Sequence, residues 1–321
     1  MIEALEQRMM LSATLRGGTL SVSGTRAADA ITFSTGTGTL SVTINGQSQI
    51  FATLVQRGGV LVSAVNRVIV HGQGGNDSID ASGLIVNNAP ISAWLYGDAG
   101  DDTISGSAGV DRIYGGQGND NLNPGLRSAT TGFVNLGGDL LSGDAGNDLF
   151  LGMLLPDNAA PPAAITYMGG GGDDAFIAST GKGADRFYGG SGLDTANYAM
   201  RSDNLILSAT GRATAVNAGG TELDIINRDV EILIGGSGND LIIGAGGGII
   251  AGGAGDDTLI GGVGPDLVLG GPGNDEIHTR GRSRDTVDGG DALAGDTAEI
   301  DVLDLAFNTS ADVGGLSPWR R

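Results

Sequence analysis

Apolar residues recur along this chain in two rhythms. Between residues 17 and 71 they alternate with polar ones in short runs, "TLSVSG", "ITFS", "TLSVTING", "SQIFATL" and "VNRVIVHG", separated by Gly, Asn and Thr. A period of two with that punctuation predicts half-buried strands joined by tight turns. Farther on, one large apolar residue returns every nine positions: Ile104, Ile113 and Leu122 in one run, Leu259, Val268 and Ile277 in another, with Leu241 taken as the corresponding residue of the unit that starts at Gly235. The expectation is an all-β chain with little helix.

The residues between these apolar positions are equally regular. "GDAGDDTISGSAGVDRIYGGQGNDNLN", from Gly97 to Asn123, is three nine-residue phrases, each opening with Gly and carrying Asp at the sixth place: Asp102, Asp111 and Asp120. A second run holds "GGSGNDLII" from Gly235, "GGAGDDTLI" from Gly252, "GGVGPDLVL" from Gly261 and "GGPGNDEIH" from Gly270, with Asp240, Asp257, Asp266 and Asp275 at the sixth place. Between the first two of these lies "GAGGGIIA", one residue short, with Ile249 where Asp belongs. Single copies from Gly72, Gly143, Gly169 and Gly189, and a weaker one from Thr180, add Asp77, Asp148, Asp174, Asp194 and Asp185. Glycine at places one, two and four permits left-handed backbone in a tight turn, where a Cβ would clash. A fixed internal period is the mark of a repeat architecture.

These phrases resemble the hemolysin-type calcium-binding repeat, the RTX nonapeptide G-G-x-G-x-D-x-U-x with U large and apolar. The resemblance spans most of residues 72–290, with interruptions, and implies a right-handed parallel β-roll or β-helix solenoid with Gly-Asp calcium-binding turns. Two nonapeptides then make one coil, six residues of each forming a turn and three a strand whose middle residue points inward. Residues 18 apart fall on the same side of successive coils, as Asp102 and Asp120 do, or Asp257 and Asp275.

Coils stacked about 4.8 Å apart bury the apolar residues in a thin core. Carboxylates held about 5 Å apart would repel by about 3 kcal/mol at an effective dielectric of 20. Calcium between neighbouring turns converts that repulsion into attraction, taking carboxylates and carbonyls left free by the glycines. The expected metal ligands are Asp77, Asp102, Asp111, Asp120, Asp148, Asp174, Asp185, Asp194, Asp240, Asp257, Asp266 and Asp275. Aspartate among glycines also makes good turns without metal, and for the isolated copies both readings stand. Asp240 should pair only with Asp257, Asp111 should find no partner near Ala129, and Asp266 should face the "RSRD" segment that ends in Asp285. Asp101 and Asp256, at the fifth place, should face solvent.

Composition changes the picture in three ways. With 60 Gly in 321 residues, 4% aromatics and no Cys, neither a conventional core nor a disulfide holds the fold, so another staple is needed. A net charge of -20 excludes nucleic acid and anionic membrane as partners and favours a cation. The 37 acidic residues divide into 31 Asp and 6 Glu, and the shorter carboxylate suits tight turns and hard cations. No apolar run is long enough to span a membrane.

The expected organisation is an export-like or disordered segment at 1–16, a β-rich cap or β-helix coils at 17–71, and a first repeat region with loop insertions at 72–194. A strand-rich insert at 195–234 resembles those that separate calcium-binding blocks in the family, a second repeat block covers 235–290, and 291–321 is a cap or tail. "NPGLRSATTGFVNLGGDL" and "GMLLPDNAAPPAAITYMGG" are expected loops. The N-terminus lacks a basic n-region and an apolar h-region, yet "LEQRMMLS" resembles the Leu-Glu-Pro-Arg-x-Leu-Leu segment of exported planctomycete proteins, with Gln7 in place of Pro and Met10 in place of Leu.

Catalysis finds little support. His71 and His278 lie in no H-E-x-x-H pattern, no G-x-S-x-G elbow is evident, and "SPWRR" at the C-terminus carries no clear export signal. The expectation is an extracellular, non-catalytic structural or surface protein whose folding depends on several calcium ions. The alternative is a calcium-dependent adhesin or matrix protein that binds glycan or protein, with an accessory domain of an enzyme or toxin behind it.

Overall fold

The computed structural model describes residues 12–306 apart from 37, 53, 58–59, 87–88, 126–137, 153–163, 179–183, 212–213, 216–222, 280–282, 291–294 and 301–304. The export-like segment before residue 12, the middle of both expected loops and the "SPWRR" terminus lie outside the described residues. Every regular element among the described residues is a β-strand. The chain divides into two units, Met1–Leu155 with Pro162–Gly171, and Pro156–Pro161 with Gly172–Arg321.

The first unit has two sheets. One runs, in spatial order, Ser12–Arg16, Thr19–Ser23, Arg67–His71, Ala93–Ala99, Arg112–Gln117, Leu140–Ala145 and Thr166–Gly171. The other runs Gln47–Ala52, Thr39–Ile44, Ala30–Gly36, Ser78–Asp80, Thr103–Ser105, Asn121–Asn123 and Leu149–Leu151. From Arg67 onward the chain alternates between them, so a coil is one strand of each sheet plus two turns. Parallel register aligns the inward residues in rows, Leu95, Ile113, Leu141 and Tyr167 on one sheet, Ile79, Ile104, Leu122 and Phe150 on the other. All eight are buried.

An open end of such a stack would expose unpaired strand edges. Antiparallel strands stand there instead, a hairpin on the first sheet and a three-stranded meander on the second. Gly17 and Gly18 turn the hairpin with φ of 57° and 87°, Asn45 and Gly46 the last two strands of the meander with 49° and 78°. Both residues of a type I′ turn need positive φ, which is why Gly-Gly and Asn-Gly occupy these places. The long connections of this unit, 81–92, 124–139 and 152–165, all leave from the second sheet on the way back to the first. The turns at 72–77, 97–102, 115–120 and 143–148, on the opposite side, are therefore uninterrupted.

In the second unit one sheet holds Ala175–Ile177, Thr195–Asn197, Ile232–Ile234, Ile249–Ala251, Leu267–Gly271, Thr286–Gly290 and Leu305–Ala306. A second holds Ile206–Ser208, Leu241–Ile243, Thr258–Ile260, Glu276–Thr279 and Thr297–Ile300, while Arg186–Ser191, Leu223–Ile226 and Thr214–Ala215 form a third group. Its inward rows are Ala196, Leu233, Ile250, Val268 and Val287, and Leu207, Ile242, Leu259 and Ile277. The inward residue of the unit from Gly235 is thus Ile242 and not Leu241: counting from Gly235, Ile242 holds the eighth place, and it is buried while Leu241 is half-buried. The short unit from Gly244 keeps its rung, with Ile250 inward between Leu233 and Val268.

Candidate metal centre

Parallel pairing brings the sixth residues of successive turns together. In the first unit the amide of Asp29 donates to Oδ1 of Asp77 at 2.7 Å, Asp77 to Asp102 at 2.7 Å, Asp102 to Asp120 at 2.8 Å and Asp120 to Asp148 at 2.8 Å. The carbonyls of these residues accept the amide that opens the next strand, Asn121 to Asp102 at 2.8 Å for example. Each aspartate is therefore tied to the next coil by backbone and side chain.

On the opposite side Ala93 donates to Asp111 at 2.6 Å and Asp111 to Asp139 at 2.7 Å. Asp111 does have a partner, contrary to the expectation from the spacing. The insertion that includes residues 126–137 moves that partner from 18 to 28 residues away.

The second unit repeats the arrangement. Asp174 donates to Asp194 at 2.9 Å, Asp194 to Oε2 of Glu231 at 3.0 Å, and Asp185 to Asp224 at 2.8 Å. Leu205 donates to Asp240 at 2.8 Å, followed by Asp240 to Asp257 at 2.7 Å, Asp257 to Asp275 at 2.9 Å and Asp275 to Asp296 at 3.0 Å. Gly248 donates to Asp266 and Asp266 to Asp285, both at 3.0 Å. Asp29, Asp139, Asp224 and Asp296 were not expected from the sequence. The signal available in the sequence is a buried apolar residue two places on, Ile31 after Asp29, Leu141 after Asp139 and Ile226 after Asp224.

The ladder uses one oxygen of each carboxylate, and the other decides what the turn can hold. Oδ2 of Asp77, Asp102, Asp120, Asp194, Asp257 and Asp275 is buried without a donor. A buried acceptor left so costs about 1–3 kcal/mol. Around it are more acceptors. A Cβ built on Gly97 would collide with Oδ2 of Asp102 and come within 2.6 Å of the Gly115 carbonyl oxygen. One on Gly252 would meet Oδ2 of Asp257 and, at 2.7 Å, the Gly270 carbonyl. Among the described residues no three carboxylate or imidazole side chains converge, so an ion here would take one or two aspartates and complete its shell with main-chain oxygens. A pocket of oxygen acceptors with no donor fits a hard cation such as calcium.

Four other aspartates have both oxygens satisfied, Oδ1 by a neighbouring segment and Oδ2 from within the turn. Oδ2 of Asp29 accepts the amide of Thr25 at 2.5 Å and its hydroxyl at 3.0 Å, and Oδ2 of Asp111 accepts the amide of Ser107 at 2.5 Å. Oδ2 of Asp240 accepts the amide of Gly236 at 2.7 Å, and that of Asp266 the amide of Gly262 at 2.9 Å.

Burial, and after it the neighbouring carboxylates, push Asp77, Asp120 and Asp257 up to about 7 and Asp194 and Asp275 up to about 6. Asp111, with Asp139 beside it, is pushed up to about 8. The fifth-place carboxylates behave differently. Asp101 and Asp256 are exposed, as expected, and accept the amides of Asn119 and Asn274 at 2.9 Å. The bonds from Asn274 hold Asp256 below its usual range. His71 pairs with Asp98 and His278 with Glu276, each at 3.1 Å.

Stacked parallel coils with acceptor-lined Gly-Asp turns define a calcium-binding β-roll. In agreement, the chain carries four copies of the RTX calcium-binding nonapeptide repeat, matched at residues 93–123, 133–153, 227–248 and 244–277. These spans contain Asp102, Asp111, Asp120, Asp148, Asp240, Asp257, Asp266 and Asp275, and leave out Asp77, Asp174, Asp185 and Asp194. No curated protein matches the chain.

Proposed function

We propose that this is an exported, non-catalytic structural or surface protein whose repeat turns bind several calcium ions and whose folding depends on them. RTX repeats bind calcium. The observation that carries the dependence is the set of buried, donorless carboxylate oxygens at Asp77, Asp102, Asp120, Asp194, Asp257 and Asp275. Such a stack opposes its own assembly until a cation supplies what the oxygens lack. Export is supported by the affinity general to weak extracellular calcium modules, about 10⁻⁴ to 10⁻³ M, which matches the millimolar free calcium found outside cells. Among the described residues no helix is long and apolar enough to cross a membrane. The non-catalytic role is supported by the sequence, in which neither His71 nor His278 lies in an H-E-x-x-H pattern and no G-x-S-x-G elbow is evident. The test is calorimetric titration of chelator-treated protein with calcium and then with magnesium. Saturable heat with calcium and little with magnesium supports the proposal, and no calcium heat refutes it.

One feature favours the adhesive alternative. On the outer face of the first unit Arg67 and Arg112 lie over Trp94, 4.5 and 5.8 Å from its ring centre, while His71, Tyr96 and Tyr114 stack at 4.5 and 5.0 Å. Aromatic rings with cations in a chain of charge -20 suit a glycan or an acidic protein surface. Calcium-dependent binding to a glycan panel that Trp94→Ala abolishes would favour this role over the structural one.

A further inference from the structure

Whether a sixth-place aspartate keeps an open oxygen follows the hand of the backbone at the second place of its own turn. Above Asp77, Asp102, Asp120, Asp194, Asp257 and Asp275 the second residues are Gln73, Asp98, Gly116, Gly190, Gly253 and Gly271, with φ of 79°, 73°, 116°, 110°, 107° and 109°. The second residues above Asp29, Asp111, Asp240 and Asp266 are Thr25, Ser107, Gly236 and Gly262, and none is left-handed. Each of these four donates its amide to Oδ2 of its own aspartate.

The physical link is that an amide has one proton. In a left-handed turn it faces the neighbouring coil: Gly253 donates to the Gly270 carbonyl at 3.2 Å and Gln73 to Oδ2 of Asp98 at 3.1 Å. The strand there runs on through the second and third places, pairing Asp98 with Gly116 and Ala99 with Gln117. Nothing remains for Oδ2. Gln73 and Asp98 hold this backbone without being glycine, a strain that stacking alone does not require.

The coil before each turn accounts for the choice. A Cβ on Gly116, Gly253 or Gly271 would strike the second-place carbonyl of a complete Gly-Asp turn, that of Asp98, Gly236 and Gly253 respectively. Closed turns have no such neighbour. Ser107 packs its hydroxyl on the Ile91 carbonyl at 2.8 Å, Gly236 faces the Arg201 carbonyl, and Gly262 faces Ala245 of the shortened unit. Asp29, Asp111, Asp240 and Asp266 are thus the first members of their series, and a site between two turns needs two.

We infer that the hand of the second residue decides which turns take calcium. The left-handed turns, among them those of Asp77, Asp102, Asp120, Asp194, Asp257 and Asp275, are the sites, and the turns of Asp29, Asp111, Asp240 and Asp266 are metal-free latches closed by their own amides. This rests on the calcium reading above but divides the aspartates otherwise than the repeat pattern does. The pattern includes the closed Asp111, Asp240 and Asp266 and omits the open Asp77 and Asp194.

The test is anomalous-difference density from crystals of the full chain grown in calcium. Peaks are expected within about 2.3–2.6 Å of Oδ2 in the six open turns, and none at Oδ2 of Asp29, Asp111, Asp240 or Asp266. Calcium on Oδ2 of Asp111 or Asp266, or its absence at Asp77 or Asp194 while other turns are filled, overturns the inference and spares the calcium reading. No calcium at any turn overturns both. In solution, Asp257→Asn should lower the number of calcium ions bound per chain by at least one, and Asp266→Asn should leave it unchanged. Equal losses overturn the inference.

Discussion

The amide of Asp102 reaches across one coil to Oδ1 of Asp120 at 2.8 Å, while Oδ2 of each residue stays buried without a donor. On the proposed reading one carboxylate thus serves two purposes, a hydrogen bond that sets the spacing of the coils and an oxygen left for an ion.

Gly97→Ala should weaken both purposes, because its Cβ would fall on Oδ2 of Asp102 and within 2.6 Å of the Gly115 carbonyl. Gly17→Ala meets no atom within 4 Å and loses only through its φ of 57°, about 1 kcal/mol. Titration of folding against calcium should show a higher midpoint for the first variant and a nearly native one for the second.

Leu259→Ala removes a fully buried side chain from the row between Ile242 and Ile277 and should cost about 2–5 kcal/mol. Thr258→Ala, beside it but half-buried on the other face, should stay within about 0.5 kcal/mol. Thermal melting in calcium measures both, and equal losses would contradict the inward register.

Tyr198→Phe deletes the hydroxyl that donates to Oδ2 of Asp224 at 2.8 Å inside the second unit. The variant should lose about 1–3 kcal/mol. Since that carboxylate is satisfied by protein, calcium should not restore the loss, which melting at rising calcium checks.

Acid should act oppositely with and without metal. In chelator Asp77, Asp120 and Asp257 are pushed up to about 7 from an ordinary 3.8, so the folded state holds more protons than the unfolded. Their contribution is fully present below about pH 4 and is lost as pH rises through about 7. Calcium needs the carboxylates ionised, so its stabilisation grows over the same range and its uptake near neutrality releases protons. The folded fraction, followed by its β signal through thermal melting, should therefore rise on acidification from about pH 8 to about pH 5 in chelator and fall in calcium.

The nine-residue period makes the coils, the inward residues and the sixth-place aspartates legible in the sequence itself. What escapes it has physical reasons. Asp139 lies 28 residues from Asp111 because an insertion breaks the spacing, and Asp29 ends "GTRAAD", a turn with a single glycine. Leu241 and Ile242 are adjacent apolar residues, and only the count from Gly235 tells them apart. The hand of the second place is invisible because Gly236 and Gly253 are the same letter, while the coil before each one sets its φ.

The central claim, that calcium in the turns holds this stack together, is tested most directly by far-ultraviolet circular dichroism and thermal melting of the full chain in chelator, in calcium and in equal magnesium. The account predicts a β spectrum and a cooperative transition in calcium, their loss in chelator, their return when calcium is added back, and little recovery with magnesium. The same β spectrum and the same melting temperature in chelator as in calcium would contradict it.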